Sequence, residues 1–300
     1  MNKEEKLIGE FYGLHHDLYD HYRIKDFELK IHEKFIKGIL NKHAIPNIVI
    51  EKIAFMEAGG SGNKARAMAK AGCNNVCFVD LSKENTDYVN DWQKDSKHPI
   101  TVINGSILDT HSKLNNKFDI INCTGVVQHT ADPALCLMRL HNFLKTNGLL
   151  IVNFYQSGTL SLFWIYLIRE LVSSININYK DLINFSRLYK VPIDEIALLD
   201  HAFVPIIQPT NPRIFLNDLK KIGFSVLESE SCEDICHNKI EGMSKIVIAK
   251  KTNNENIELD KLEYRSGIDQ LSLDYNNNIK NLIDNFFSFK EKCMKQKNIE

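Results

Sequence analysis

Two acids and a run of glycines stand close together between Phe55 and Ser82, in FMEAGGSGNKARAMAKAGCNNVCFVDLS. Glu57 ends a short apolar run and leads into Gly59, Gly60, Ser61 and Gly62; Asp80, 23 residues after Glu57, ends the next apolar run. Glycine tolerates positive φ and lets a ligand approach the bare backbone. A glycine loop opening a helix also offers N–H donors to a polar group. A carboxylate at the tip of the second strand can accept hydrogen bonds from both ribose hydroxyls. Together they describe a site for an adenosine-bearing cofactor at the carboxyl edge of a sheet. A dinucleotide site would want G-x-G-x-x-G, and the run Gly59-Gly60-Ser61-Gly62-Asn63-Lys64 lacks that spacing. Glu57 would sit badly beside a pyrophosphate and suits a cationic amine or sulfonium instead.

The elements that must hold these residues alternate. Apolar runs KIAFMEA, NVCFVD, ITVING, FDIINCT and LLIVNFY are separated by helical segments starting near Gly62, Lys83 and Asp132, with room only for a short helix or loop between Asp109 and Lys117. Runs this apolar suit strands buried on both faces. The fold class expected is therefore α/β, a doubly wound and mostly parallel seven-stranded sheet with right-handed crossovers. Residues 1–45 read as a helical N-terminal cap, with Ile31, Phe35, Ile36 and Ile39 on one face. Residues 46–251 form the main domain. The alternation breaks over 156–210, which reads as a helical insertion, a lid. A helix from about Arg213 to Ile222 follows, then GFSVLESES and MSKIVIAKK, which read as a terminal antiparallel strand pair. Residues 252–300 form a polar tail with one late amphipathic helix around IKNLIDNFFSFKEKC.

In order and spacing these pieces resemble the class I S-adenosylmethionine-dependent methyltransferases, of the methyltransferase type 11/12-like kind. FMEAGGSG resembles that family's first motif and VCFVDLS its second. VINGSILD and FDIINCTGVVQHTADPALCLMRLHNFLKTNGLLIVNFY resemble the third to fifth strands, and FLNDLKKIGFSVLES the late helix and sixth strand. The resemblance spans roughly Ile53 to Lys250. The loop is one residue shorter than the family's acid-x-Gly-x-Gly-x-Gly. The resemblance implies S-adenosyl-L-methionine as cofactor, with Glu57 and Gly59 flanking the methionyl amine. Gly60, Ser61 and Gly62 would approach the cofactor with bare backbone. Asp80 would hold the ribose, Leu81 would lie against the adenine and Ser106 and Ile107 at its edge. Cys123 and Thr124 would border the methyl group.

Neighbouring residues have local explanations. Asp132-Pro133 is an N-cap followed by a first-turn proline, and Asn147-Gly148 is a stop and turn before a strand. His129 follows strand four, where an acceptor site would open; it could act as a base near neutral pH or anchor its loop to a backbone group. His201, beside Asp200, is the second base candidate. Tyr12, Tyr19 and Tyr22 with His15, His16 and His21 form an aromatic N-terminal patch, a packed helix face or a cap on the cofactor. Cys232-x-x-x-Cys236-His237 lacks a second ligand pair, so no metal is expected.

Composition limits the function classes. The 300 residues carry a net charge of −1, with 44% hydrophobic and 25% charged residues, ordinary for a soluble domain and without the basic field that nucleic acid attracts. The seven cysteines form no disulfide framework, and the start MNKEEKLIGEFYG has no apolar core of the kind a secretory signal needs; a cytoplasmic setting is expected. GTLSLFWIYLIRELV, Gly158 to Val172, is interrupted by Arg169 and Glu170 and is shorter than the ~20 residues of a membrane span. NCTGVV stands where amino-directed nucleic-acid methyltransferases carry an (Asp/Asn)-Pro-Pro-aromatic stretch, so the expected acceptor is a small molecule. Aromatic residues of the insertion and its border, Tyr155, Phe163, Trp164, Tyr166, Tyr189 and Phe203, suit a lid over it. The expectation is O-methylation of a sugar, quinone, lipid or natural product. The alternatives are a non-catalytic S-adenosylmethionine-binding protein and an NAD(P)-dependent oxidoreductase.

Overall fold

A computed structural model describes residues 3–18, 28–43, 49–174, 200–233, 241–252 and 258–264, with 25 and 181 singly. The late tail helix, Tyr189, Cys236 and His237 lie outside these residues.

Seven strands form one sheet in the order β3-β2-β1-β4-β5-β7-β6. They are β1 (Ala54–Ala58), β2 (Asn75–Asp80), β3 (Thr101–Asn104), β4 (Phe118–Cys123), β5 (Leu144–Tyr155), β6 (Phe224–Glu233) and β7 (Glu241–Lys251). β1 to β5 pair in parallel, whereas β7 runs antiparallel to both β5 and β6. This is the doubly wound sheet with its closing strand pair that the alternation of elements leads to.

The helices are α1 (Lys3–Leu18), α2 (Lys30–His43), α3 (Asn63–Lys70), α4 (Lys83–Ser96), α5 (Pro133–Phe143), α6 (Leu160–Ser174) and α7 (Pro212–Ile222). Because successive strand residues point to opposite faces, β1 feeds two cores. Phe55 packs with Ile36 and Ile39 of α2, Met68 of α3 and Val89 of α4. Ala54, Met56 and Ala58 face the other side, with Leu137 and Leu140 of α5 and Phe215 and Leu219 of α7. The space between β3 and β4 holds only a 3₁₀ turn at Ser112–Leu114.

Local chemistry sets several boundaries. The Asp132 carboxylate accepts the Leu135 amide at 2.9 Å and Pro133 occupies the first turn of α5. Gly223, at φ 98°, ends α7 in the left-handed region that glycine adopts without strain. α6 takes up most of the apolar stretch Gly158 to Val172 and buries Leu162 and Ile165 beside Tyr155 and Met243. Among the described residues no helix is long and apolar enough to cross a membrane.

Candidate functional site

Strand order reverses between β1 and β4, and at such a point an open α/β sheet leaves a crevice beyond its strands' carboxyl ends. Register places Glu57 beside Asn122 and Phe78, and Asp80 beside Asn104, so the two acids sit on neighbouring strand ends. A cavity of about 260 Å³ opens there.

Of the expected cofactor residues, Glu57, Gly59, Gly60, Ser61, Asp80, Leu81, Ser106, Ile107 and Thr124 line this cavity. Gly59 and Gly60 both adopt positive φ, 77° and 93°. A Cβ on Gly59 would stand 2.5 Å from Val126 Cγ2, so the loop can run this close only as glycine. Two residues lie elsewhere. Gly62 is the N-cap of α3, with φ 76°, packed against Val89 and Phe78. Cys123 points into the α5 side of the core, where its thiol meets that of Cys136.

The shortened loop explains the position of Gly62. As an N-cap, glycine has no side chain to offer the first amides of α3. Glu57 supplies the acceptor instead: its Oε2 takes the Ala65 amide at 2.6 Å. Oε1 stands 4.0 Å from Lys64 Nζ. Burial raises the Glu57 pKa, against the opposing pull of Lys64.

Asp80 accepts the Ser82 amide at 2.7 Å and the Asn85 side chain at 3.3 Å, both at Oδ1, and the Gly60 amide also bonds this carboxylate. Burial pushes its pKa up to about 7. The ridge after β2 is fixed by Ser82, whose hydroxyl caps α4 through the Asn85 amide.

The N-terminal helix closes one side. Glu5, Ile8, Gly9, Tyr12 and His16 of α1 all line the cavity. Gly9 makes this approach possible, since a Cβ there would stand 3.0 Å from the Leu81 carbonyl oxygen. Glu5 accepts from the Ser106 hydroxyl, and His16 Nδ1 pairs with Asn85 Oδ1 at 3.2 Å. Tyr19, His21 and Tyr22 of the aromatic patch lie outside the described residues, and the described part divides. Tyr12 and His16 face the cavity, while His15 is buried and stacks on Phe11.

At the other end stand Thr124, Gly125, Val126, His129, Thr130, Tyr155 and, from the segment between β5 and α7, Asp200. His129 Nδ1 lies 2.7 Å from the Ile206 carbonyl oxygen. A carbonyl only accepts, so Nδ1 carries the proton and Nε2 the lone pair. The anchoring alternative read from the sequence is present, and burial holds the His129 pKa down at about 4. His201 does not line the cavity. Its ring meets Tyr155 edge-on at 5.7 Å, and burial lowers its pKa to about 3, leaving it neutral beside Asp200 at 3.9 Å. Asp200 takes the cavity position instead. The Tyr12 hydroxyl donates to it, and burial raises its pKa to about 7. Of the expected lid aromatics whose side chains are described, Tyr155 stands on the lining and Phe163, Tyr166 and Phe203 lie off it.

These residues suit S-adenosylmethionine. Four carboxylates (Glu5, Glu57, Asp80 and Asp200) face one lysine, Lys64, around the cavity, a balance that favours a ligand with sulfonium and ammonium charges. When bound, the cofactor would supply an electrophilic methyl group. Glu57 would meet its amine, the Gly59–Ser61 backbone its amino-acid part and Asp80 its ribose.

Comparison with known proteins matches one family over part of the chain and the fold of several solved structures. The family described as "Methyltransferase domain" matches residues 57–152, from the Glu57 acid into β5. No curated protein sequence matches the chain. PKMT2 from Rickettsia typhi is similar in structure at a TM-score of 0.57 and 18% identity, covering 77% of this chain and 54% of that one. The 1,6-didemethyltoxoflavin-N1-methyltransferase of Burkholderia thailandensis, crystallised with its substrate and S-adenosylhomocysteine, gives 0.50 and 13%, covering 83% and 88%. The CurJ carbon methyltransferase gives 0.47 and 15%, covering 75% and 54%. The chain therefore spans about half the length of two of these three proteins.

Proposed function

We propose, from the match of residues 57–152 to the methyltransferase-domain family and from the lining of the cavity, that the chain transfers a methyl group from S-adenosylmethionine to a small organic acceptor held at the Tyr155 end. The observation that carries this reading is the juxtaposition of two halves in one cavity. Glu57, the glycine loop and Asp80 suit the cofactor, and Tyr12, His129, Tyr155 and Asp200 stand beyond Thr124, where the methyl group would point. α1 and the segment around Asp200 act as the cap and lid that keep water from the reacting atoms.

The protein's own part in the chemistry is positioning and proton handling. An oxygen acceptor, the reading favoured by sequence, asks for a base at this wall. His129 presents a neutral Nε2, but with its pKa held at about 4 it is a weak base. Asp200, at about 7, is the better matched of the two. His201 packs against Tyr155, off the lining. A nitrogen acceptor is the second reading, favoured by one observation: the wall carboxylate Asp200 stands among aromatic rings.

The test is a thermal-shift comparison of S-adenosylmethionine, S-adenosylhomocysteine and NAD on the full chain. A ligand that binds only the native state stabilises it by mass action, so the first two should raise Tm and NAD should not. A shift with NAD alone would replace this reading with an oxidoreductase.

A further inference from the structure

Three aromatic rings meet in series at the acceptor end. The Tyr12 and His129 centroids are 5.6 Å apart, and those of His129 and Tyr155 are 5.4 Å apart at 88°. All three side chains line the cavity, and so does Asp200. They come from four separate segments: α1, the 3₁₀ turn after β4, the end of β5 and the helical residues at 200–203. We propose that these four side chains form a binding site for an ammonium group, and that the methyl acceptor is an amine.

The charges support a cationic occupant. Among the described residues no lysine or arginine pairs with Asp200; its one charged-type neighbour, His201, is kept neutral. Arg169, the nearby guanidinium, is committed to the carbonyl oxygens of His201 and Val204 at 3.0 and 2.8 Å. Lys64 lies with Glu57, on the cofactor side. His129, held neutral by burial, lines the cavity and brings no positive charge. A cation over aromatic faces gains electrostatic attraction from each ring, more when water is excluded, and a carboxylate beside them supplies the opposite charge. A neutral hydroxyl would draw little from either.

The same wall accounts for the proton. An ammonium must release one proton before its nitrogen lone pair can take the methyl group, and the Asp200 carboxylate accepts it. As the N–C bond forms, the C–S bond breaks with its electron pair left on sulfur. The product is a methylated ammonium, again matched to the rings, and Asp200 returns its proton to water on release. The Tyr12 hydroxyl donates to Asp200 throughout and keeps the carboxylate aimed.

The inference rests on the methyltransferase reading, and its test separates the two. The probes are choline and its uncharged isostere 3,3-dimethylbutan-1-ol, each titrated by calorimetry into the full chain saturated with S-adenosylhomocysteine. Choline should bind at least tenfold more tightly than the isostere. Asp200→Asn and Tyr155→Leu should each weaken choline tenfold or more while S-adenosylhomocysteine affinity, the check on folding, is kept; Tyr12→Phe should weaken it less. Equal affinity for choline and the isostere, no binding of choline, or a choline affinity untouched by Asp200→Asn would overturn the ammonium site. Failure of S-adenosylhomocysteine to bind the wild-type chain would overturn the methyltransferase reading itself.

Discussion

Glu57 accepts the Ala65 amide at 2.6 Å, so the acid at the end of β1 both lines the cavity and caps the first turn of α3. The two roles can be separated. Glu57→Gln keeps an oxygen acceptor for the amide and removes the charge. It should lose less stability than Glu57→Ala, because the buried amide keeps an acceptor, while S-adenosylhomocysteine affinity falls. Glu57→Ala should lose both, with about 1 kcal/mol of stability gone through the missing cap. Urea unfolding and calorimetric titration of the two variants check this. Equal affinity for S-adenosylhomocysteine in wild type and Glu57→Gln would confine Glu57 to a capping role.

Asp80 gives a pH dependence of stated sign. Its folded pKa lies near 7, above the usual value near 3.9. The folded chain therefore holds a proton that the unfolded chain gives up between about pH 4 and 7, and this group's contribution to stability declines as pH rises through that window. Cofactor binding should run the other way, because in the proposed site the ionised carboxylate would accept from both ribose hydroxyls. Affinity for S-adenosylhomocysteine should rise with pH and level off above 7, falling by up to about tenfold per unit below it. Asp80→Asn should flatten this profile and weaken binding by about 1.5–3 kcal/mol. A sloping profile retained in Asp80→Asn would assign the titration to another group.

Gly59 tests the loop. Its φ of 77° and the nearness of Val126 make alanine both strained and crowded there. Gly59→Ala should destabilise the chain by about 1–2 kcal/mol through the left-handed backbone alone and weaken S-adenosylhomocysteine as the loop shifts. A variant with wild-type Tm and affinity would mean that the loop moves freely.

Asp132 supplies the contrast. It lies in the same stretch of sequence as His129 but caps α5 through the Leu135 amide and stands off the cavity. Asp132→Ala should lower stability by about 1 kcal/mol and leave S-adenosylhomocysteine affinity unchanged. A loss of affinity without loss of stability would give Asp132 a part in the site.

The sequence made the β1–loop–α3–β2 unit legible because its signals are local. Apolar runs, a glycine burst and an acid at each strand tip lie within 26 residues, Phe55 to Asp80, and the parallel sheet brings the two acids together without help from elsewhere. The position of Gly62 is not legible in sequence because glycines in one loop look alike by type; only the start of α3 shows that the last of them is a cap. The core-facing position of Cys123 is hidden for a related reason, since alternation along β4 decides its face and a run apolar on both sides hides that alternation. α1 was harder. Its contact with the cavity depends on Gly9 meeting the Leu81 carbonyl, a tertiary approach that no period in the sequence encodes. Asp200 lines the cavity and its neighbour His201 does not; which way residues 200 and 201 face is not encoded in the broken pattern of 156–210.

A crystal structure of the full chain with S-adenosylhomocysteine bound tests the central claim most directly. The account expects the ribose hydroxyls on Asp80, the amine on the Glu57 side and the sulfur turned past Thr124 toward Tyr155 and Asp200. Adenosine held away from Asp80, or sulfur turned away from the Tyr12, His129 and Tyr155 rings, would contradict it.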